Sequence, residues 1–351
     1  MTEKTNSTST KNTIITFFKE RPWAQYILFG VLLSSIAFLP QIGVMRNSTM
    51  SIFALIIIYT IAAFGLNLLL GFSALISLAT AGFIGGGALG IGIFLNMGLP
   101  FEVAVLLVIL SGIVIGAFIG ILSLKSQGIY LAITTLFVQE ILRQIYTSVG
   151  IFGGERIDIG TITILGGIEL NRFNFAHRSI IFLILIAVMV IIMIIFRNLI
   201  KSRSGRAFMA MSRSKSAAAA MGVNIMKYRV YAFIIATVFA MLAGVLYAMY
   251  YQSAPTRAWT LDLSLLLLAM VVAGGFKSVF GMFLGAFVVY GIPTLFLEDI
   301  FGDVSEIFAG LLIILVVLFY PQGLIHSGPD IKKGFKKIVG LFRKKEVTQD
   351  E

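Results

Sequence analysis

Between Arg46 and Glu102 the sequence contains no charged residue. A helix needs about 20 apolar residues to cross the hydrocarbon core of a bilayer, so this stretch is long enough for two crossings. We place them at residues 50–70 and 75–97, joined by an uncharged turn at residues 71–73. Apolar stretches of this length are typical of chains that span a membrane.

The remainder of the chain continues this pattern. Hydrophobic residues make up 58% of the sequence and charged residues 12%, which is about half the charged fraction of an ordinary soluble domain. The sequence therefore predicts an all-α polytopic membrane protein with about ten transmembrane helices. The predicted spans are residues 23–39, 50–70, 75–97, 103–124, 128–149, 178–196, 230–251, 261–276, 279–296 and 307–320.

Charge distribution predicts which ends of these spans face the cytoplasm, because Lys and Arg accumulate on the cytoplasmic side. Residues 1–21 and 327–351 are both basic, so we expect two cytoplasmic tails around a permease domain at 22–326 in a bacterial cytoplasmic membrane. The segment 298–306 holds four acids and no base, and is expected outside. A single crossing over 261–296 would move the basic C-terminal tail outside. We therefore predict two crossings there, with a re-entrant hairpin as the alternative.

Glycines recur every four residues in two predicted spans. They are Gly82, Gly86 and Gly90 in one span, and Gly112, Gly116 and Gly120 in another. Spacing of this kind places small residues on one helix face, where a second helix can approach closely. A third glycine-rich site, at residues 274–278, is predicted to be the tight turn between spans 261–276 and 279–296.

The predicted span 128–149 is unusually polar. It contains Thr134, Thr135, Gln139, Glu140 and Arg143. An ionisable residue at membrane depth costs about 2.5–3.5 kcal/mol on insertion scales, so such residues face a partner or a water-filled path. Glu140 and Arg143 are three residues apart on a helix and can pair. Two interpretations follow: the residues line a translocation path, or they form a structural ion pair near the outer interface.

A polar segment at residues 197–229 separates two apolar spans. It contains eight basic residues and no acid, and is therefore predicted to be cytoplasmic. Ala and Met dominate residues 205–211 and 216–221, a composition that favours two short helices. One hypothesis is a docking platform for a cytoplasmic partner; the other is an ordinary basic loop that fixes topology.

Several function classes lack support in the sequence. There is no cysteine, no phosphate-binding Gly-x-x-x-x-Gly-Lys-Ser/Thr motif and no hydrolase or zinc-protease motif. We therefore expect no enzymatic activity and no bound cofactor. The net charge of +11 resides in segments beside apolar spans, which indicates contact with anionic membrane lipid rather than nucleic acid.

The chain resembles a known family over roughly residues 50–326. Segments 204–211 and 217–233 are similar to the ATPase-coupling loop of ABC importer permeases of the branched-chain amino-acid type, M-type (LivM-like) subunit. Further matching segments follow in the same order: 65–67 with Gly71, 128–136, 243–248, 270–275 with Gly281 and Gly285, and 319–324. Together these motifs are specific, although each alone is weak.

The resemblance implies a permease subunit that translocates branched-chain or related amino acids. It implies four kinds of partner: a homologous permease subunit in a heterodimer, two cytoplasmic ATP-binding subunits that hydrolyse the ATP, an extracytoplasmic substrate-binding protein, and membrane lipid. The implied coupling residues are Gly205, Arg206, Ala207, Ala210, Ala218, Ala219 and Gly222. The candidates for the translocation path are Asn67, Thr134, Thr135, Gln139, Glu140 and Arg143.

The sequence also departs from the family pattern. Acidic residues that are usual around the alanines of the coupling loop are replaced by Ser214-Lys215-Ser216 and by Ala220, which bears on the choice of ATPase. Phe152 stands where many relatives have Thr before Gly-Gly, which bears on the substrate. Urea, amides, sugars and nucleosides remain alternative cargoes. An ion-coupled secondary transporter using Glu140 is the alternative of a different class.

Overall fold

The computed structural model describes residues 22–37, 47–126, 128–148, 154–164, 167–170, 175–298, 302, 305–320 and 323–324. The predicted cytoplasmic tails, 1–21 and 327–351, lie outside the described residues, as do Phe152 and most of the acidic segment 298–306.

The described residues form twelve α-helices and four short strands. In chain order the helices are α1 Pro22–Ser34, α2 Asn47–Asn67, α3 Thr80–Asn96, α4 Phe101–Leu122, α5 Ile129–Ser148, α6 Phe175–Lys201, α7 Arg203–Arg213, α8 Lys215–Ala220, α9 Ile225–Tyr251, α10 Leu261–Gly274, α11 Phe280–Ala286 and α12 Ser305–Phe319. The strands are β1 Arg156–Asp158, β2 Ile162–Ile164, β3 Ile168–Leu170 and β4 Ser253–Pro255. Helix α2 continues as a π-helix over Leu68–Phe72, and α11 continues through π-helical turns to Leu297.

Five helices are long and apolar enough to cross a membrane. They are Ser48–Phe72, Phe101–Lys125, His177–Lys201, Ile225–Tyr251 and Phe280–Leu297. Shorter apolar helices occupy Trp23–Ser34, Thr80–Asn96 and Leu261–Gly274. The predicted class, a multi-pass helical membrane protein, is confirmed. The strictly all-α prediction missed the four strands, each three residues long, which lie in segments predicted to be outside the membrane.

One predicted span begins too early. The span expected at 75–97 is helical only from Thr80, and residues 74–79 have no regular structure. Ala74 has a φ of 51°, a conformation that L-residues rarely adopt. Ala74 is exposed, but Leu75, Ser77 and Ala79 are buried, so much of this irregular backbone packs against protein, where a membrane protein can tolerate it. No charged residue marks the break, because residues 47–101 are all uncharged.

Helix α9 is the centre of the helix packing, and the glycines of α4 face it. A Cβ at Gly116 would lie 2.8 Å from Ile234 Cα, and one at Gly120 would lie 2.9 Å from Val230 Cα. At Gly112 the neighbour is the Met241 sulfur, at 2.9 Å. The predicted close approach along this glycine face is confirmed, because backbone meets backbone there.

The glycine face of α3 has a different role from the one predicted. A Cβ at Gly82 would lie 2.9 Å from Gln139 Oε1, and one at Gly86 would lie 2.9 Å from the Tyr146 hydroxyl, so these glycines accommodate side chains of α5. The close backbone contact of α3 with α9 involves Gly87 and Gly244 instead. A Cβ at Gly244 would overlap the carbonyl oxygen of Ile84.

Helices α10 and α11 form a tight hairpin. A Cβ at Gly285 would overlap the Met270 carbonyl oxygen, so the two backbones touch. Helix α10 ends at Gly274 and α11 begins at Phe280, which confirms the predicted turn. Within this turn Lys277 has a φ of 66°.

The strands form two small antiparallel ribbons. Strand β1 pairs with β4, placing Arg156 opposite Pro255, and β2 pairs with β3. Thr256, just after β4, donates its hydroxyl to the Glu155 carbonyl at 2.9 Å. Because β4 follows the last residue of α9, the first ribbon closes over that end of the helix. The short helices α7 and α8 precede the first residue of α9 and therefore lie at its opposite end.

Candidate functional site

The segment predicted to be a docking platform forms two capped helices, α7 and α8. The Ser202 hydroxyl accepts a hydrogen bond from the Gly205 N–H, and the Ser214 hydroxyl accepts one from the Ala217 N–H, each at 3.3 Å. The Asn224 side chain accepts from the Lys227 N–H at 3.0 Å and begins α9. Ser and Asn are favoured N-caps because they satisfy backbone donors that have no partner within the helix. The prediction of two short helices is confirmed.

Helix α7 is anchored to the membrane-spanning helices by aromatic packing. Phe208 is fully buried, and its ring meets that of Tyr228 on α9 edge-to-face, with the centroids 5.9 Å apart. Met211 is also buried. Because these contacts bury large side chains, displacement of α7 would be transmitted to the first turn of α9.

Between α7 and α8 lies a groove with a volume of about 880 Å³, which we call the coupling groove. Its lining is mostly small or apolar, with positive charge at Arg203, Arg206 and Arg213. The full set of lining residues is Arg203, Arg206, Ala207, Met209, Ala210, Arg213, Ser214, Ala217, Ala218, Met221, Gly222, Val223 and Tyr228. A surface of this kind can accept a partner helix that offers apolar side chains and carboxylates.

Five of the seven predicted coupling residues line the groove: Arg206, Ala207, Ala210, Ala218 and Gly222. The Arg206 guanidinium also donates to the Lys201 carbonyl at 3.0 Å. Ala219 is exposed but is not part of the lining.

The two glycines among the predicted coupling residues shape the backbone. A Cβ at Gly205 would overlap the Ile200 carbonyl oxygen, so only glycine fits between α6 and α7. Gly222 has a φ of 81° and ends α8 in a Schellman motif, in which the Val223 N–H donates to the Ala218 carbonyl at 3.0 Å.

Arg229 connects the segment after the groove to the start of α5. Its side chain is buried, and its Nη2 donates to the carbonyls of Ser123 and Ser126 at 2.6 and 2.7 Å. These carbonyls belong to the connection between α4 and α5. The positive charge of Arg229 also acts on Lys215: burial lowers the pKa of the Lys215 ammonium, and Arg229 lowers it further.

The polar side chains of α5 form a second cluster, in the interior. The first N–H groups of α3, which have no partner within that helix, are satisfied from other helices. The Gly82 N–H donates to Gln139 Oε1 at 2.6 Å, and the Ala81 N–H donates to the Ser264 hydroxyl at 2.9 Å. The Leu78 N–H, just before α3, donates to the Thr135 hydroxyl at 3.0 Å. Helices α5 and α10 thus cap a helix that begins inside the protein.

Trp259 completes this interior cluster. Its carbonyl accepts from Gln139 Nε2 at 2.8 Å, and its buried ring meets Tyr247 edge-to-face with the centroids 5.2 Å apart. In the part of the chain that the structure describes, the Trp259 indole N–H and the buried hydroxyls of Ser73 and Ser77 have no hydrogen-bond partner. These three groups can therefore still form hydrogen bonds beside the irregular segment 74–79.

Asn67, predicted to line the path, bonds the backbone of the turn between α10 and α11 in this structure. Its Oδ1 accepts from the Lys277 N–H and its Nδ2 donates to the Ser278 carbonyl, both at 3.2 Å. The side chain therefore ties the end of α2 to the α10–α11 hairpin. Gly71 lies four residues after Asn67, and a Cβ at this position would overlap Asn67 Oδ1, which explains why a glycine is present there.

The remaining candidates lie on the other side of α5. Arg143 Nε donates to both carboxylate oxygens of Glu140 at 3.0 Å, so the predicted ion pair is present. Both side chains are partly exposed, at 35% and 49%. Thr134 donates to the Tyr130 carbonyl at 2.8 Å, within the same helix. The structure thus separates the six path candidates: Thr135 and Gln139 belong to the interior cluster, Asn67 to a turn, and the other three to the exposed side of α5.

Sequence reasoning missed three residues of these clusters: Ser264, Trp259 and Arg229. Ser264 is the one hydroxyl in the apolar run 263–273, a signal that could have been used. Arg229 was counted among the basic residues of the loop, and no local pattern separates it from its exposed neighbours. Its burial depends on Ser123 and Ser126, about 100 residues earlier in the chain.

The long apolar helices, the interior polar cluster and the coupling groove at one end define a multi-pass membrane permease. The chain belongs to the family described as the permease component of branched-chain amino acid transport systems, whose model matches residues 48–317.

Two relatives illustrate the range of similar chains. The high-affinity branched-chain amino acid transport system permease protein LivM of Escherichia coli K12 is 30% identical, over 82% of this chain and 72% of its own length. A probable branched-chain amino acid transport permease protein LivM of Methanocaldococcus jannaschii is 28% identical, over 67% of this chain and 70% of its own length. No solved structure matches the chain significantly.

Proposed function

We propose that this chain is one of two membrane-spanning subunits of an ATP-driven importer of branched-chain or related amino acids in the bacterial cytoplasmic membrane. The coupling groove carries the proposal. Two capped helices that present a shaped, basic surface between α6 and α9 exceed what a simple connecting loop requires. A permease subunit whose sequence carries no phosphate-binding motif would need such a surface to receive force from an ATPase.

In this proposal ten helices cross the membrane and both termini are cytoplasmic. The two ends of α9 support this arrangement: the segment before the helix is basic and contains no acid, whereas the ribbon after it carries both signs, with Arg156 paired to Asp158 at 3.2 Å. A 27-residue helix is about 40 Å long, enough to separate these features by a full bilayer. Helices α1, α3 and α10 are shorter than a typical span; α3 is largely buried by its neighbours, whereas α1 leaves Val31 and Leu32 about 60% exposed.

The chain would work as one part of a larger assembly. A substrate-binding protein delivers the amino acid from outside, and a homologous permease subunit completes the channel. Two ATP-binding subunits dock below, one of them in the coupling groove, and hydrolyse the ATP. Arg203, Arg206 and Arg213 favour an acidic docking element on the ATPase, because the segment 197–229 offers no acid of its own.

Movement in the groove has a physical route into the membrane. Phe208 fixes α7 to α9, and Arg229 of α9 holds the connection that leads into α5. Gln139 of α5 in turn caps α3, next to the irregular segment 74–79. Helix α5 therefore follows the connection that Arg229 holds and contributes to the interior polar cluster, where Thr135 and Gln139 remain candidates for the path.

The experiment is reconstitution in proteoliposomes with the partner permease, both ATPases and the binding protein, followed by measurement of labelled leucine uptake. Uptake should require ATP and should survive collapse of the membrane potential. The Ala217→Trp variant fills the groove at an exposed position and should lose ATPase co-purification and uptake, whereas Ala217→Ser should retain both. Uptake driven by an ion gradient without ATP would instead support a secondary transporter.

A further inference from the structure

Helix α5 has an exposed side that differs from that of its neighbours. We call it the Glu140 face; it consists of Ile133, Phe137, Glu140, Ile141, Gln144 and Ile145. Its apolar members are between 41% and 61% exposed, so none of the residues that the structure describes covers them. The opposite side of α5 is occupied, since Thr135, Gln139 and Tyr146 are buried against other helices.

Helix α4 shows what a lipid-facing surface looks like in this protein. Between Val103 and Leu122 all of its exposed side chains are apolar. They include Leu106, Leu110, Val114, Phe118 and Ile121. A uniformly apolar surface is what hydrocarbon requires.

The Glu140 face carries charge far from either end of its helix. Glu140 is eight residues from Ser148, the last residue of α5, which corresponds to about 12 Å along the axis. It is eleven residues, about 16 Å, from Ile129 at the other end. The exposed neighbours of Glu140 include the apolar side chains of Phe137 and Ile141, so its carboxylate lies in an apolar part of the surface. Arg143 is nearer to the helix end, five residues or about 7.5 Å from Ser148. Charged side chains at such depth normally face another protein surface or a water-filled cavity.

From this placement we propose that the Glu140 face is the surface against which the homologous permease subunit packs, with the Glu140–Arg143 pair at the seam between the two subunits. The inference rests on the proposed function, in which a second permease subunit completes the channel. The apolar residues would supply the packed part of the interface. The ion pair would meet polar groups of the partner at the same depth, next to the path that the two subunits enclose.

Two phenylalanines of similar exposure, one on the Glu140 face and one on α4, provide a matched pair of positions for a test. Phe137 on the Glu140 face is 61% exposed, and Phe118 on the α4 surface is 63% exposed. Placing p-benzoylphenylalanine at either position exchanges one aromatic side chain for another. The full importer is then purified, irradiated, and its cross-linked products are identified by mass spectrometry, while ATP-dependent uptake is measured on the same preparation.

The proposal predicts that the probe at position 137 cross-links to the homologous permease subunit and that the probe at position 118 forms lipid adducts. It is overturned if position 137 yields lipid adducts or no adduct, if it cross-links to a second copy of this chain, or if position 118 yields the permease cross-link instead. ATP-dependent uptake alongside any of these results would reject the interface but leave the proposed function standing. Absence of such uptake from the assembled complex would reject the proposed function, whichever cross-link forms.

Discussion

Gln139 on α5 accepts a hydrogen bond from the backbone N–H of Gly82, in the first turn of α3, at 2.6 Å. The same side chain donates to the Trp259 carbonyl, so one amide joins α5, α3 and the segment before α10. In lipid, an N–H at the start of a helix has no water to bond, and the structure meets this need with side chains from other helices. The position of α3 therefore depends on that of α5.

The Gln139→Leu variant should destabilise the protein. Gln139 is fully buried, and its loss leaves the Gly82 N–H and the Trp259 carbonyl unsatisfied, each at a cost of about 1–3 kcal/mol. Thermal unfolding in detergent micelles measures the effect. Gln144→Leu removes the same amide from the exposed side of α5 and should change stability by about 0.5 kcal/mol or less. Equal effects of the two substitutions would refute the capping role.

The Gly244→Ala variant should also be destabilising, because the added methyl group would overlap the backbone of α3 at Ile84. Overpacking of this kind costs about 1–3 kcal/mol, and here the obstacle is main chain that cannot rotate away. Gly310 on α12 provides the control, since no atom of the described residues lies within 4 Å of its added Cβ. Gly310→Ala should stabilise its helix by about 0.5–1 kcal/mol. A neutral Gly244→Ala variant would show that α3 and α9 do not approach as described.

Removal of the Arg229 side chain should weaken the coupling of ATP hydrolysis to transport. Arg229→Ala leaves the Ser123 and Ser126 carbonyls without their donor, and each such bond to a charged group is worth about 1.5–3 kcal/mol. We expect uptake per ATP hydrolysed to fall several-fold. Arg229→Lys should restore this ratio only in part, because Lys keeps the positive charge but lacks the planar guanidinium group with its several donors.

The matched control for Arg229 is Lys227→Ala, which removes an exposed basic side chain from the same helical turn. Its ratio of uptake to hydrolysis should equal that of the unmodified importer. A folded Arg229→Ala importer with an unchanged ratio would exclude this side chain from the coupling route.

The sequence predicted the features that depend on local pattern. Uncharged stretches located the apolar helices, and the glycines of α4 predicted a close contact with another helix, without identifying α9 as that helix. The composition of residues 205–221 predicted two short helices. Each of these signals is carried by neighbouring residues or by a helical repeat, so no knowledge of the rest of the chain is needed.

The features that the sequence did not reveal depend on residues distant in the chain. Nothing near Asn67 indicates that it bonds Lys277 and Ser278, and nothing near Thr80 marks the start of α3, because the caps come from Gln139 and Ser264. The three-residue strands are likewise too short to produce a recognisable alternation. Tertiary contacts decide these positions.

The central claim, that the coupling groove faces the cytoplasm and receives an ATPase, can be tested by labelling one residue. Met221 lines the groove and is 85% exposed, and the chain contains no cysteine, so Met221→Cys provides the one thiol of this subunit. A membrane-impermeant maleimide should label it in inside-out vesicles but not in intact cells, and the ATP-binding subunits should block the reaction. Thr163→Cys, in strand β2, should show the reverse accessibility. Labelling of Met221→Cys in intact cells, or labelling that the ATPases do not reduce, would contradict the account.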